Sequence, residues 1–202
     1  WTTNYDTLIE TALRDAHKRP DVKMNPEQLT SVIPRRDAVV YKMHGDVCQP
    51  EKAVVTRDDY EAYAESRQLF SIALQGDLVS KTFLFLGFSF ADPNLAYILA
   101  RIRILLGTHR REHYCLLREV QRHDFDDDED YLYAKTRQEL QIRDLRRYGI
   151  IGIPTDSYET QTDVLRYLSK AYKLRRVFVS GSAADYAPWT EGEALQFLHD
   201  LG

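Results

Sequence analysis

The sequence predicts an α/β fold: a Rossmann-like parallel sheet with helices on both faces, followed by the start of a second α/β domain. Two observations predict the sheet. Apolar runs such as 81–86 and 113–117 show no polar alternation, which is typical of strands buried on both faces. Segments of helical periodicity separate these runs, and such an alternation of strands and helices favours parallel pairing. A small-residue loop after residue 179 indicates the further domain.

Composition narrows the class of protein. At 202 residues, the chain can hold one good-sized domain and part of another. The net charge of −4 provides no general basic surface for nucleic acid, and no apolar segment is long enough to cross a bilayer. Cys48 and Cys115 form no C-x-x-C pair, so neither a zinc ribbon nor a disulfide framework is indicated. We expect a cytoplasmic protein without a nucleic-acid or membrane partner.

A polar cluster opens the chain. Residues 2–6 read Thr-Thr-Asn-Tyr-Asp, and Asp6 or Thr7 is predicted to cap the helix that follows. Its inward residues are predicted to be Leu8, Ile9, Ala12 and Leu13. Asn4 and Asp6 then lie at a turn where an amide and a carboxylate suit recognition of a sugar or a carboxamide, although an ordinary Asx turn has the same residues. Because a domain rarely starts at such a turn, we expect a fragment.

The next predicted strand leads into a histidine. Residues 17–37 are predicted as a surface connection with a short strand at 31–33, and the apolar run 39–41 then ends at His44. The carboxyl end of a buried parallel strand is where ligands meet polar side chains, and an imidazole there can exchange a proton near neutral pH. Gly45 allows a sharp turn and leaves room for a ligand. A histidine that only caps the strand is the alternative.

Helices are predicted after this strand. Residues 54–55 form a short predicted strand, and Thr56 with Asp59 has the spacing of a capping box. Two helices follow, with a bend at Gly76. Their apolar positions are Tyr60, Tyr63, Leu69, Phe70, Ile72, Ala73 and Leu74. We interpret the aromatic residues among them as core rather than as cofactor contacts.

A strand, a turn and a helix come next. The strand at 81–86 is predicted to be buried on both faces, and the turn at 87–94 ends with Asp92 as the helix cap and Pro93 as the first helical residue. The apolar face is predicted to comprise Leu95, Ile98, Leu99, Ile102, Leu105 and Leu106, ending at Gly107. Such a turn can hold a nucleotide's ribose or phosphates through backbone N–H groups and the Ser89 hydroxyl, but a purely structural turn looks almost the same.

Further elements complete the predicted sheet and begin a second unit. They are a strand at 113–117, an exposed acidic loop at 124–130, a helix at 132–148 that stops at Gly149, a strand at 150–154, a closing helix at 160–172 and a strand at 177–179 with a small-residue loop. The inward residues of the two helices are predicted to be Leu140, Leu145 and Tyr148, and Val164, Leu165 and Leu168. The second domain is predicted to begin at residue 175.

Four motifs, in this order, resemble the SIR2-like domains of bacterial antiphage defence proteins. They lie at residues 2–6, 42–46, 55–60 and 87–94, and the resemblance covers nearly all of residues 1–172. Residues 177–183 are similar to the opening of SLOG domains, which follow SIR2 in the Thoeris defence NADase. The resemblance implies an N-terminally truncated SIR2-like domain at 1–174 and the beginning of a SLOG-like domain at 175–202.

The same resemblance implies hydrolysis of NAD to nicotinamide and ADP-ribose. It implies that His44 is the catalytic histidine, that Asn4 orients water and the nicotinamide ribose, and that Asp6 lies near the nicotinamide pocket. The residues implied at the NAD site are Thr3, Asn4, Asp6, Gly45, Gly87, Phe88 and Ser89. His44 can accept a proton from a ribose hydroxyl or activate water, and a positioned ribose and water need little covalent catalysis.

The resemblance also sets expectations about cofactors and partners. The family's glycine-rich pyrophosphate loop would precede Trp1, so we expect this fragment alone to bind NAD poorly or not at all. The cysteine pairs that hold zinc in sirtuin deacylases are absent, so no zinc is expected. A cyclic ADP-ribose-type signal is implied as the SLOG ligand, and a homo-oligomer as the assembly. A non-catalytic nucleotide-binding module and a zinc-free deacylase are the alternatives.

Overall fold

The computed structural model describes residues 1–178, with side chains described as far as residue 171. The predicted α/β class with parallel strands is confirmed. The strands fall into two sheets, and the chain divides into two compact units. One unit comprises Trp1–Thr82 and Ser89–Arg111, and the other comprises Phe83–Phe88 and the residues from Glu112 onward.

The first unit is built on a two-stranded parallel sheet of β1 (Pro20–Lys23) and β2 (Ala38–Tyr41). Beyond the end of β2, the Lys42 N–H donates to the Lys23 carbonyl. On the opposite edge of this strand, the Thr2 N–H donates to the Tyr41 carbonyl, and the Met43 N–H donates to the Thr2 carbonyl. The N-terminal segment therefore runs beside β2 where β2 leads into His44.

The position of β1 corrects the sequence prediction. We expected a strand at 31–33, but the structure has it at Pro20–Lys23 and a 3₁₀ helix at Pro26–Thr30. The strand reads Pro-Asp-Val-Lys, and a search for apolar runs does not detect it because two of its four residues are charged. They are nevertheless buried, because Lys23 and Asp21 form an ion pair of 2.7 Å between Nζ and Oδ1.

Five α-helices belong to this unit. They are α1 (Leu8–Asp15), α2 (Arg57–Glu61), α3 (Tyr63–Ser66), α4 (Gln68–Ser80) and α5 (Pro93–Leu106). The capping box of Thr56 and Asp59 is confirmed, as are the cap at Asp92 and the end of α5 at Gly107. Two predictions are wrong: α4 continues through Gly76 without a break, and residues 54–55 form no strand.

The core of this unit contains part of the predicted apolar set. The buried members of that set include Tyr63, Phe70, Leu74, Leu95, Ile98, Leu99 and Ile102. Other residues predicted to face inward are exposed, namely Leu8, Ile9, Ala12, Leu69, Ile72 and Leu105. In α1 the buried residue is Glu10, because its carboxylate pairs with Lys42 in the interior. In α4 only one of two apolar faces is buried, the one with Phe70, Leu74 and Leu78.

The second unit is a three-stranded parallel sheet in the order β3 (Leu84–Leu86), β4 (His113–Arg118) and β5 (Ile150–Thr155). The helices α6 (Asp128–Arg146) and α7 (Tyr158–Phe178) pack on β5. The prediction that β3 is buried on both faces is wrong, since Leu84 and Leu86 share a face that is about two-fifths exposed. The helices of this unit cover β5 at the other edge.

The helices of this unit begin earlier than predicted. Part of the acidic run is helical, because Asp127 caps α6 by accepting the N–H of Asp130. Leu145 is buried as predicted, whereas Leu140, Leu165 and Leu168 are exposed. Since α7 extends through Phe178, the strand predicted at 177–179 is wrong at its first two residues. The rest of that strand and the loop after it lie outside the described residues. Within residues 1–178, no helix combines the length and the hydropathy of a transmembrane span.

Candidate active site

His44 lies just after β2 and is 3% exposed. Its Nε2 atom is 2.8 Å from Oδ2 of Asp92, and its Nδ1 atom is 3.5 Å from the Tyr60 hydroxyl. The rings of Tyr60 and Tyr63 stand edge-on to the imidazole, with centroids at 5.2 and 6.0 Å. A polar group therefore faces each ring nitrogen, whereas a histidine that only caps a strand needs one hydrogen bond.

The Asp92 carboxylate contacts both the start of a helix and His44. As the cap of α5, its Oδ1 accepts the Leu95 N–H at 2.8 Å, while Oδ2 faces His44. Burial opposes the charge of this carboxyl, but the contacts with His44 and with backbone N–H groups outweigh burial and lower the pKa of Asp92. A carboxylate beside Nε2 favours a proton on that nitrogen, which leaves Nδ1 as the basic atom. We predicted Asp92 only as a cap, because the capping pattern is local and the contact with His44 is not.

Tyr60 belongs to the site rather than to the core alone. It is half-buried on α2, and the capping box of Thr56 and Asp59 fixes the start of that helix. Burial, together with Tyr5 and Asp92, raises the pKa of Tyr60 to about 12. Its hydroxyl is therefore protonated at neutral pH and can donate toward Nδ1 of His44. The interpretation of Tyr60 as core missed this role, since both readings have the same helical spacing.

The N-terminal turn lies next to this strand. Asp6 accepts the N–H of Leu8 at 3.0 Å, whereas Thr7 makes no side-chain cap bond, so Asp6 closes the turn before α1. The backbone N–H of Asn4 donates to the Thr2 hydroxyl. Asn4 and Asp6 are exposed, and Thr3 is half-buried.

One residue of this turn approaches the histidine directly. The ring centroid of Tyr5 lies 6.3 Å from that of His44, and the Tyr5 hydroxyl donates to the Val54 carbonyl. Among the described side chains, the structure thus brings Asp92, Tyr60, Tyr63 and Tyr5 to His44. It does not bring the side chains of Asn4 or Asp6 into contact with it.

The turn predicted to hold a ribose is bent by left-handed residues. Gly87 follows β3 with φ +59°, and Phe90 has φ +57°, a conformation that bulky residues rarely adopt. The Ser89 hydroxyl accepts the Ala91 N–H at 3.3 Å. Gly87 and Phe88 belong to the second unit and Ser89 to the first. Within residues 1–178, no group of three or more His, Cys, Asp and Glu side chains could hold a metal ion.

Gly45 is required by both its conformation and its surroundings. Its φ is +91°, and a Cβ atom there would lie 3.0 Å from the Ala53 Cα and 3.2 Å from the Lys52 carbonyl oxygen. Arg67 holds this backbone by donating to the Lys52 and Met24 carbonyls. The glycine therefore allows the chain to turn tightly straight after His44.

We expect Gly45→Ala to lower the free energy of unfolding by about 2–4 kcal/mol, because it combines a left-handed alanine with overpacking. Gly76→Ala is the matched control, since its Cβ would meet nothing within 4 Å on the helix α4. That change should raise the free energy of unfolding by about 0.5–1 kcal/mol. Denaturant titration of both variants measures the two free energies of unfolding. Equal values would contradict the conclusion that position 45 requires glycine.

Comparisons with known proteins extend these observations. Residues 1–143 match the model of the SIR2-like domain, and residues 160–202 match that of the Sir2- and TIR-associating SLOG family. The NAD(+) hydrolase ThsA of Enterococcus faecium is 48% identical over all of this chain and 44% of its own length. That of Acinetobacter baumannii is 46% identical over all of this chain and 42% of its own length. Defense-associated sirtuin 2 of Bacillus subtilis is 31% identical over 52% of this chain, a match that covers 10% of its own length. The chain spans less than half the length of these curated relatives.

Proposed function

This chain belongs to the SIR2-like domain family, and we propose that it is the catalytic part of an enzyme that hydrolyses NAD to nicotinamide and ADP-ribose in bacterial antiphage defence. The family resemblance carried by the four motifs is confirmed. The observation that supports the reaction best is the buried His44, held between Asp92 and Tyr60 at the carboxyl end of a parallel strand. The relatives named NAD(+) hydrolase that match the whole chain support the substrate.

The chemistry needs a positioned water and a base. Cleavage of the bond from ribose to nicotinamide develops positive charge on the sugar, and water then adds to the anomeric carbon. Water or a ribose hydroxyl would replace Tyr60 as the partner of His44 Nδ1. Nδ1 then accepts the proton of the attacking water directly, or it accepts the ribose proton while the ribose oxygen takes up the proton of the water. Asp92 stabilises the imidazolium that forms, as a buried carboxylate does for a catalytic histidine. Nicotinamide leaves as a neutral molecule, and the proton passes from His44 to solvent.

The N-terminal turn provides the polar contacts for this end of NAD in our proposal. Asn4 and Asp6 are exposed beside the strand that carries His44, so their amide and carboxylate can reach the nicotinamide ribose and carboxamide. Thr3 and Gly45 would contact the same end. Binding of the adenosine-side ribose at Gly87, Phe88 and Ser89 remains a prediction.

In this proposal, a second domain of the whole protein regulates the hydrolase. We place the end of the catalytic domain at residue 174 and a SLOG-like sensor from residue 175, and the match over residues 160–202 supports a sensor in this part of the chain. A cyclic ADP-ribose-type nucleotide would bind the sensor and release the hydrolase, which would act as a homo-oligomer in the cytoplasm.

Incubation of the full-length protein with NAD, with and without a cyclic ADP-ribose-type nucleotide, tests both parts. Nicotinamide release measured by chromatography is expected, and it should rise when the nucleotide is present. Binding of NAD without release would contradict the hydrolase and favour a non-catalytic nucleotide-binding module. Release that requires an acyl-lysine peptide would favour a deacylase instead.

A further inference from the structure

A fully buried ammonium group joins two of the polar motifs. Lys42 follows β2 directly and precedes His44 by two residues, and its side chain is 0% exposed. Its Nζ lies 3.2 Å from Oε1 of Glu10 on α1 and pairs with Oδ2 of Asp46 beyond the histidine. Both carboxylates are themselves nearly inaccessible, at 3% and 2% exposure. Three ionisable groups thus meet in the interior of the first unit.

The same ammonium binds the backbone of the N-terminal turn. Lys42 Nζ donates to the Tyr5 carbonyl at 3.1 Å and to the Asp6 carbonyl. The Val47 N–H, just past Asp46, donates to the Tyr5 carbonyl as well. Tyr5 lies between Asn4 and Asp6, so these bonds fix the turn from which both side chains project.

Packing alone does not require charges here. A buried ion cluster must offset the loss of hydration of every member, and apolar residues of similar volume often stabilise a core as well or better. Burial opposes the charge of Lys42, but its contacts with Asp46 and Glu10 outweigh burial and raise the pKa of Lys42. The ammonium is therefore a permanent donor, and its carbonyl partners belong to the turn. What the charges add over an apolar core is a fixed geometry between two chain segments.

We propose that Lys42 is a positioning residue that locks the turn carrying Asn4 and Asp6 against the strand carrying His44. The inference rests on the proposed NAD hydrolysis, because that reaction needs the turn and the histidine in one geometry. Glu10 and Asp46 hold the ammonium in place from either side. A displacement of about 1 Å in such a pair of segments can cost about a hundredfold in rate.

The test compares two buried lysines in the full-length protein. Lys42→Met removes the anchor, and Lys23→Met is the matched control, since Lys23 is 3% exposed, pairs with Asp21 and lies on the neighbouring strand β1. We expect Lys42→Met to lower kcat for nicotinamide release at least about tenfold at a temperature where the protein is folded. Lys23→Met should keep the wild-type kcat, although both variants melt at lower temperature.

Two further readouts separate positioning from stability. Amide hydrogen exchange over residues 2–10 should quicken in Lys42→Met and not in Lys23→Met. The loss of kcat caused by Asn4→Ala should also be much smaller in the Lys42→Met background, because the turn is already displaced. If Lys42→Met does not fold, Glu10→Gln weakens the same anchor and should show the same faster exchange and a lower kcat.

The outcomes for the two proposals differ. Equal kcat and equal exchange in the two lysine variants would overturn the positioning role while the wild-type enzyme still releases nicotinamide. A wild-type protein that releases none would overturn the proposed function instead. In that case, hydrogen exchange over residues 2–10 alone decides whether Lys42 anchors the turn. Equal exchange in both lysine variants would then overturn the anchoring role too.

Discussion

Replacing His44 with alanine is expected to lower kcat for nicotinamide release by about 10²–10⁴, the usual contribution of a positioned general base. The imidazole is the group that Asp92 and Tyr60 both face, so its removal leaves the proton of the attacking water or ribose hydroxyl without an acceptor. NAD affinity should change much less than kcat, because the loss is confined to the transition state. Steady-state kinetics on the full-length protein, with NAD binding measured by calorimetry, checks both values.

His113→Ala is the matched control for this variant. His113 is also buried, at 2% exposure, but it lies on β4, where its Nδ1 accepts the N–H of Phe83. Its replacement should reduce thermal stability and leave kcat of the folded enzyme intact. A similar loss of kcat in both variants would mean that His44 acts through folding rather than through chemistry.

Local signals in the sequence predicted the ends of helices well. The Thr56 and Asp59 box and the Asp92 cap depend on hydrogen bonds that span only three residues, so their geometry follows from spacing alone. The strand predicted at 113–117 is also confirmed, since Cys115 and Leu116 at its centre are apolar and buried. The cap places Asp92 at the start of α5, and the box fixes the start of the helix that carries Tyr60.

Contacts between distant segments could not be predicted in the same way. The Asp92 carboxylate was already assigned as a cap, and nothing in its spacing indicates that its second oxygen faces His44. Lys42 and Glu10 look like surface residues to a hydrophobicity pattern, yet their opposite charges allow both to be buried. The same pattern placed Leu8 and Ile9 in the core, and they are exposed because Glu10 occupies the buried position of α1.

Two substitutions separate the roles of Asp92 as the cap of α5 and as the carboxylate that faces His44. Asparagine caps a helix about as well as aspartate but carries no charge, whereas alanine does neither. We therefore expect Asp92→Asn to keep α5 intact and to lower kcat by about 10²–10⁴, as loss of the carboxylate behind a catalytic histidine does. Asp92→Ala should lose the same activity and, in addition, about 0.5–2 kcal/mol of stability with the cap.

The pH dependence of stability provides an independent check on the charge. Because its contacts lower the pKa of Asp92 in the folded protein, the carboxylate stabilises the fold above its ordinary pKa, and this contribution is lost as the pH falls through the lowered value. The stability gap between the wild type and Asp92→Asn should therefore shrink as the pH falls below about 4. Chemical denaturation across this range measures the gap. If Asp92→Asn retained full kcat while Asp92→Ala lost it, Asp92 would act on His44 only through the start of α5, and the base would not depend on a carboxylate.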